Sequence, residues 1–201
     1  MATVTVNASK TYEVEISPNI LSKAGEILKN KFGIKTIAVI TDSTVDKIYS
    51  TTLITSFKST GHNVFKFVFK NGENSKSAET YIDILNFLAK NKLTRSDIVV
   101  ALGGGIPGDI AGFAAATYLR GVTLVQIPTT LLACVDSSVG GKTAINLNEG
   151  KNLAGAFYQP DLVLCDYTVL NTLPSNIYSD GIAEVIKYGV IADINLFELM
   201  E

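Results

Sequence analysis

Four short runs constrain this chain more than anything else in it: TIAVI at 36–40, DIVVAL at 97–102, VTLVQI at 122–127 and LVLC at 162–165. A strand with one wet face alternates apolar and polar residues. A nearly continuous, β-branched run is stable as a strand only where both faces are covered, as in a parallel sheet. Helical stretches separate these runs. Ser17-Pro18 reads as an N-cap followed by proline at the first helical position, and Gly33 ends that helix. A second stretch reaches Lys58 and stops at Gly61, and Asn63–Phe69 then adds a strand. An amphipathic helix from Ala78 to Lys90 aligns Tyr81, Leu85 and Leu88 on one face, and another runs from the glycine-rich segment after Leu102 through Leu119. Alternating strand and helix predict right-handed crossovers in an α/β, doubly wound, mostly parallel sheet.

The two ends differ from this middle. Thr3–Val6 and Tyr12–Ile16 alternate around Asn7-Ala8-Ser9-Lys10, which suggests a hairpin or a pair of edge strands. After Leu173-Pro174, Asp180 is placed to cap GIAEVIKYG and Asp193 to start DINLFELME, with no strand between them. The expected organisation is therefore an α/β domain over 1–174 and the start of a helical domain over 175–201, interrupted at Met200-Glu201.

Composition removes several functions. Apolar residues are 47% and charged residues 18%, which excludes a disordered chain. A formal charge of −2 with only two arginines, Arg95 and Arg120, argues against a nucleic-acid partner. The segment Ile110–Leu119 is the most apolar and far too short for a bilayer, and the N-terminus carries no secretory pattern, so no membrane partner and a cytoplasmic location are expected. Cys134 and Cys165 cannot form a disulfide framework and read as small buried hydrophobes. His62 is the one histidine, and it reads as a surface loop residue after a helix end. A catalytic zinc site usually takes three protein ligands, and this chain cannot supply them from histidines alone.

Three constellations carry chemistry. Gly103, Gly105 and Gly108 satisfy G-x-G-x-x-G after a strand and before a helix, where backbone N–H groups and the helix dipole receive a pyrophosphate. The acid that normally follows about 20 residues later for the ribose is missing from QIPTT, and Asp42, at the tip of an earlier strand, is placed to take that part. Asp136–Thr143 ends in Gly-Lys-Thr like a P-loop, but Asp136 stands where the first glycine is required, which disfavours a nucleoside triphosphatase. The segment remains an anion-holding loop or a surface turn with a solvated lysine, with Lys151-Asn152 just beyond. Glu184 and Lys187 lie three apart on one helix face, a spacing that by itself describes an exposed salt bridge. The apolar flanks Ile182, Val185 and Ile186 leave open a metal ligand or base. Asp42 and Glu73 are otherwise ordinary loop acids.

Together GGGIPGDIAGFAAATYLRG, QIPTTLLACVDSSVGGKTAIN, KNLAGAFYQP and DGIAEVIKYG closely resemble 3-dehydroquinate synthase, continuously from about Asp97 to Ala192 and collinearly before that through VITD and GENSK. Departures are Pro107, where the family commonly has an aliphatic residue, and Asn176-Ile177, where Arg-Glu often follows Leu-Pro. Pro107 removes one backbone donor near the phosphates. The resemblance implies a Rossmann-like NAD-binding domain followed by an all-α metal-binding domain. It implies conversion of 3-deoxy-arabino-heptulosonate 7-phosphate to 3-dehydroquinate, with transient use of NAD, loss of phosphate and zinc or cobalt as the metal.

Carried onto this chain, the resemblance places Asp42, Glu73 and Lys76 at the adenosine end of NAD. Gly105, Ile106, Pro107, Gly108 and Asp109 cradle the pyrophosphate, and Thr129 and Thr130 lie beside the nicotinamide half. Lys142, Lys151, Val169, Leu170, Asn171 and Thr172 complete the cofactor set. Asp136, Lys142, Asn152 and Lys187 surround the substrate, and Glu184 is the metal ligand, expected to face the glycine turn across a cleft. Arg120 resembles an arginine that reaches the neighbouring subunit's substrate phosphate, which implies a homodimer. Two further zinc ligands, both histidines, are implied beyond residue 201. The isolated chain is therefore expected to bind NAD without turnover. The alternatives are a related sugar-phosphate cyclase, a metal-dependent polyol dehydrogenase, and a non-catalytic NAD-binding module.

Overall fold

A computed structural model describes residues 2–200. Strands β1 (Ala2–Asn7) and β2 (Thr11–Ile16) form an antiparallel hairpin, and α1 spans Ala24–Phe32. Then come β3 (Thr36–Asp42), the short α2 (Ser43–Val45), a π-helical turn Asp46–Ser50, and α3 (Thr51–Ser59). They are followed by β4 (Asn63–Phe69), α4 (Ala78–Lys90), β5 (Ile98–Gly103), α5 (Gly105–Thr117) and β6 (Thr123–Pro128). A π-helical turn Ala133–Ser137 leads into a second hairpin, β7 (Lys142–Leu147) and β8 (Gly150–Phe157). Strand β9 (Leu162–Cys165), α6 (Ser175–Ala192) and α7 (Ile194–Glu198) complete the chain.

The main sheet has the order β1-β2-β9-β6-β5-β3-β4 and is parallel throughout, apart from β1. Its strands carry core on both faces with a period of two. Ile37, Val39, Ile98, Val100 and Leu102 pack with Leu28, Leu53 and Phe57 of α1 and α3. Ala38, Ile40, Val99 and Ala101 pack with Ile84 and Leu88 of α4 and with Ile110, Ala111 and Ala114 of α5. Full burial of each large side chain contributes about 1.5–3 kcal/mol relative to exposure. From β3 the chain steps outward to β4, then returns to the other side of β3 as β5 and continues to β6. The strand order thus reverses between β3 and β5, and a ligand crevice in such a sheet opens at the carboxyl ends of those two strands.

Several local expectations are corrected. The first helix does not start at Ser17-Pro18: Asp166, far away in sequence, accepts hydrogen bonds from the backbone N–H groups of Asn19 and Leu21. Asp180 lies inside α6, which begins at Ser175. Asp193, by contrast, caps α7 through Asn195 and Leu196 as the sequence indicates. His62 is buried, not a surface residue. Its Nδ1 accepts from the Lys35 backbone N–H, and its Nε2 lies 3.2 Å from the Gly25 carbonyl, so both ring nitrogens are engaged in the structure. No described helix is long and apolar enough to cross a membrane.

Candidate functional site: two clefts sharing the start of α5

The first cleft sits at the reversal point. It is a cavity of about 520 Å³ lined by Asp42, Phe69, the Gly104–Pro107 turn, Thr129, Thr130 and Thr172, among others. Gly103 has φ 151°, in the region open to glycine, and a Cβ there would stand 2.5 Å from the Pro107 side chain. The turn is therefore tight against the ring of Pro107. Helix α5 starts with Gly104 as its N-cap, without a side-chain cap and without an acid in its first turn. Its first N–H groups and dipole are left to an anion. Gly108 N–H is already bonded to the Gly104 carbonyl and Pro107 has none, so the free donors of this turn are those of Gly105 and Ile106.

Asp42 stands at the tip of β3 and lines this cleft. Its Oδ1 caps α2 by accepting from Thr44 and Val45, which leaves Oδ2 for a ligand. Of the predicted 169–172 segment, Val169 is core, Leu170 packs against the core and Asn171 is exposed. Only Thr172 reaches the cleft, where Tyr49 is hydrogen-bonded to it and to the Val169 carbonyl.

The second cleft, also about 520 Å³, is the more polar of the two: Asp109, Asp136, Ser137, Lys142, Thr143 and Asn152 line it together with apolar residues such as Val139, Leu153 and Phe157. Gly140 and Gly141, at φ 94° and 70°, make the turn that delivers Lys142 to the start of β7. The sequence reading assigns no strand to this hairpin; only its entry, Asp136–Thr143, is read there, as an anion-holding loop or a surface turn. Lys76 is buried and pairs with Asp109 on α5, and its ammonium also donates to Asn152 Oδ1. Burial outweighs the nearby lysine and raises the Asp109 carboxyl above the ordinary carboxylate range. Asp136 accepts a hydrogen bond from Tyr188 Oη at 3.0 Å, which ties the Ala133–Ser137 turn to α6. Tyr188 was not anticipated; its spacing of four from Glu184 was the available signal. The phenol of Tyr188 is raised, by burial first and by Asp136 second.

The structure brings the remaining predicted residues together only in part. Glu73 lies outside both clefts, on a polar rim with Lys151 and Asn146. The amide of Asn146 holds its carboxyl below the usual range. Glu184 and Lys187 line neither cleft. They pair with each other on α6, and Glu184 stands one helical turn beyond Asp180, which lines the first cleft. The Glu184 contact raises the Lys187 ammonium. Arg120 is exposed with φ 65° after the end of α5. No group of three or more metal-ligating side chains exists among the described residues, so these residues do not by themselves fit a metal ion.

Similarity to known proteins agrees with this layout. The family described as 3-dehydroquinate synthase N-terminal matches residues 66–180. A 3-dehydroquinate synthase of Clostridium acetobutylicum is 48% identical over 191 residues, covering 95% of this chain and 54% of that protein. One of Neisseria meningitidis serogroup C is 49% identical over 202 residues, covering 100% of this chain and 56% of that protein. The chain thus spans about half the length of these relatives. Among solved structures, 2-deoxy-scyllo-inosose synthase complexed with carbaglucose-6-phosphate, NAD+ and Co2+ superposes with TM-score 0.88 at 28% identity, over 94% of this chain and 52% of that one. A 2-epi-5-epi-valiolone synthase from Streptomyces hygroscopicus with NAD+ and Zn2+ bound gives 0.86 at 31% identity, over 98% and 54%. With the family pattern lying across the glycine turn, the Lys142 hairpin and the entry to α6, the chain belongs to the 3-dehydroquinate synthase family.

Proposed function

We propose that this chain is the nucleotide-binding half, with part of the sugar-phosphate cleft, of an enzyme that cyclises 3-deoxy-arabino-heptulosonate 7-phosphate to 3-dehydroquinate with loss of phosphate. The supporting observation is the uncapped glycine turn of α5, open at the strand-order reversal and adjoining a cleft that presents Lys142. The residues fit NAD. The Gly105 and Ile106 N–H groups receive the pyrophosphate, Asp42 Oδ2 accepts from a ribose hydroxyl, and Thr129 and Thr130 border the nicotinamide end. When bound, NAD supplies a reversible hydride acceptor next to the substrate.

In the polar cleft, Lys142 provides positive charge for a phosphate ester and Asp136, held by Tyr188, orients substrate hydroxyls. Asn152 and Asp109 are aimed by Lys76. Glu184 supplies at most one metal ligand, so no step is assigned to a metal on these residues. Residues 1–174 form the nucleotide-binding unit in this reading, and 175–201 belong to a helical unit whose apolar side chains Val190, Ile191 and Ile194 are exposed. A cytoplasmic homodimer, with the exposed Arg120 reaching a partner's cleft, completes the proposal. The higher identity to 3-dehydroquinate synthases than to the two other cyclases favours this substrate over a shorter sugar phosphate.

Calorimetric titration of the chain with NAD tests the reading: a saturable one-to-one heat is expected, and its absence removes the nucleotide assignment. An assay of the same chain with substrate, NAD and zinc is expected to show no turnover. Dehydroquinate formation there would show that these residues suffice.

A further inference from the structure

Asn146 occupies the point where the β7–β8 ladder shifts register, between Ile145 and Leu147. At such an irregularity the ladder is locally broken, and a residue there can direct its polar groups elsewhere. Asn146 uses three of them. Its backbone N–H donates to the Lys76 carbonyl at 2.8 Å, its Nδ2 donates to Glu73 Oε1 at 2.8 Å, and its Oδ1 accepts from the Asn152 backbone N–H at 2.9 Å. The amide orientation follows from the partners, since a carboxylate only accepts and an N–H only donates.

Asn152 has φ 58°, a left-handed conformation that asparagine tolerates better than other non-glycine residues and that local hydrogen bonds can restrain. The bond to Asn146 is one such restraint. Asn152 Oδ1 then meets the buried Lys76 ammonium, which also holds Asp109. Both Asn152 and Asp109 line the polar cleft, and Asp109 lies one turn along α5 from the glycine turn. One side chain therefore joins the loop carrying Glu73 and Lys76 to the hairpin carrying Lys142 and Asn152.

We propose that Asn146 is a positioning residue for the polar cleft, linked to the α5 turn through Asn152, Lys76 and Asp109. It holds Asn152 in its left-handed conformation and, with Lys76, sets the polar cleft's wall relative to the α5 turn. The proposal rests on the reading of these clefts as nucleotide and sugar-phosphate sites.

The test reverses the polarity of the Asn146–Glu73 bond. N146D opposes two carboxylates, while N146D combined with E73Q again pairs a donor with an acceptor and keeps an oxygen for the Asn152 N–H. Calorimetry with NAD and amide hydrogen exchange at Asn152 are measured at pH 8 for the native chain, N146A, N146D, E73Q and the double variant. Loss of one such hydrogen bond corresponds to about three- to tenfold. N146A and N146D are expected to weaken NAD binding and speed exchange at Asn152 by that much. The double variant is expected to recover most of both losses, which a residue acting only through packing does not do. Unchanged exchange at Asn152 in N146A, or no recovery in the double variant, overturns the proposal. Because exchange is read without ligand, it stands apart from the nucleotide reading, which fails when the native chain binds no NAD.

Discussion

The two clefts share the first turns of α5 and are built from opposite materials. The cleft proposed for the nucleotide is made of backbone at strand tips, with glycine conformations and free N–H groups as its main features. The polar cleft is made of charged and amide side chains brought from four separate places: Lys76, Asp109, Asp136 and the Lys142–Asn152 hairpin. A backbone site fails through conformation, and one added methyl group is enough. A side-chain site fails through unbalanced charge, and one lost partner leaves another buried without compensation. Substitutions that separate these two modes test the contrast directly.

The largest effect is expected for K76M. Lys76 and Asp109 have side-chain exposures of 7% and 19%, so removing the ammonium strands a mostly buried carboxylate, at a cost of about 3–5 kcal/mol. Urea unfolding measures it, and adding D109N to K76M should recover much of the loss. A cost below about 1 kcal/mol would mean that the ion pair does not hold the polar cleft together.

G103A comes next. The added Cβ meets the Pro107 ring at 2.5 Å in a backbone region that disfavours side chains, so about 2–3 kcal/mol of stability is expected to be lost. NAD affinity should fall more than about tenfold, in keeping with a site shaped by backbone. Retained affinity in a folded G103A chain would break the comparison.

D42N sharpens it. Asparagine caps helices about as well as aspartate, so stability should stay within about 0.5 kcal/mol. The lost negative charge toward a ribose hydroxyl should still weaken NAD about tenfold by calorimetry. Equal loss of stability and affinity would place Asp42 in structure alone.

The smallest effects concern pH, and they run in opposite directions. Glu73 is held low by Asn146, so its contribution is present above its unfolded value of about 4.3 and is lost as pH falls through the folded value. Glu73 is 43% exposed and screened, so E73Q should flatten the acid side of the stability curve by less than about 1 kcal/mol. Asp109 is raised by burial, so its contribution is present below about 3.9 and is lost as pH rises through the folded value. D109N should flatten that rising side. Parallel slopes in both variants would show that the two carboxyls share one environment.

Much of the fold was legible because hydrophobic periodicity is a local signal. The helix read over Ala78–Lys90 and the strand read over Leu162–Cys165 have those same bounds, and Asp193 caps the helix it was expected to cap. The glycine turn was legible for the same reason, since three glycines between a buried strand and a helix leave few conformations. The misreadings share a cause as well. Ser17-Pro18 resembles a helix start, but the cap comes from Asp166, 147 residues after Asn19. The β7–β8 hairpin gave no strand signal because β8 carries Gly150, Ala154, Gly155 and Ala156 and is largely exposed, so it lacks a strong apolar alternation. His62 looked exposed because its partners, Lys35 and Gly25, are distant in sequence.

What the chain's own order of residues determined was the sheet, its helical layers and the glycine turn, because each depends on residues within a few positions of one another. What only the tertiary structure decided was the polar cleft: which carboxylate Lys76 neutralises, which phenol holds Asp136, and that Asn146 binds Glu73 and Asn152 at once. Charges and amides satisfy one another across any sequence distance. Their pairing is set by where packing of the apolar elements leaves them.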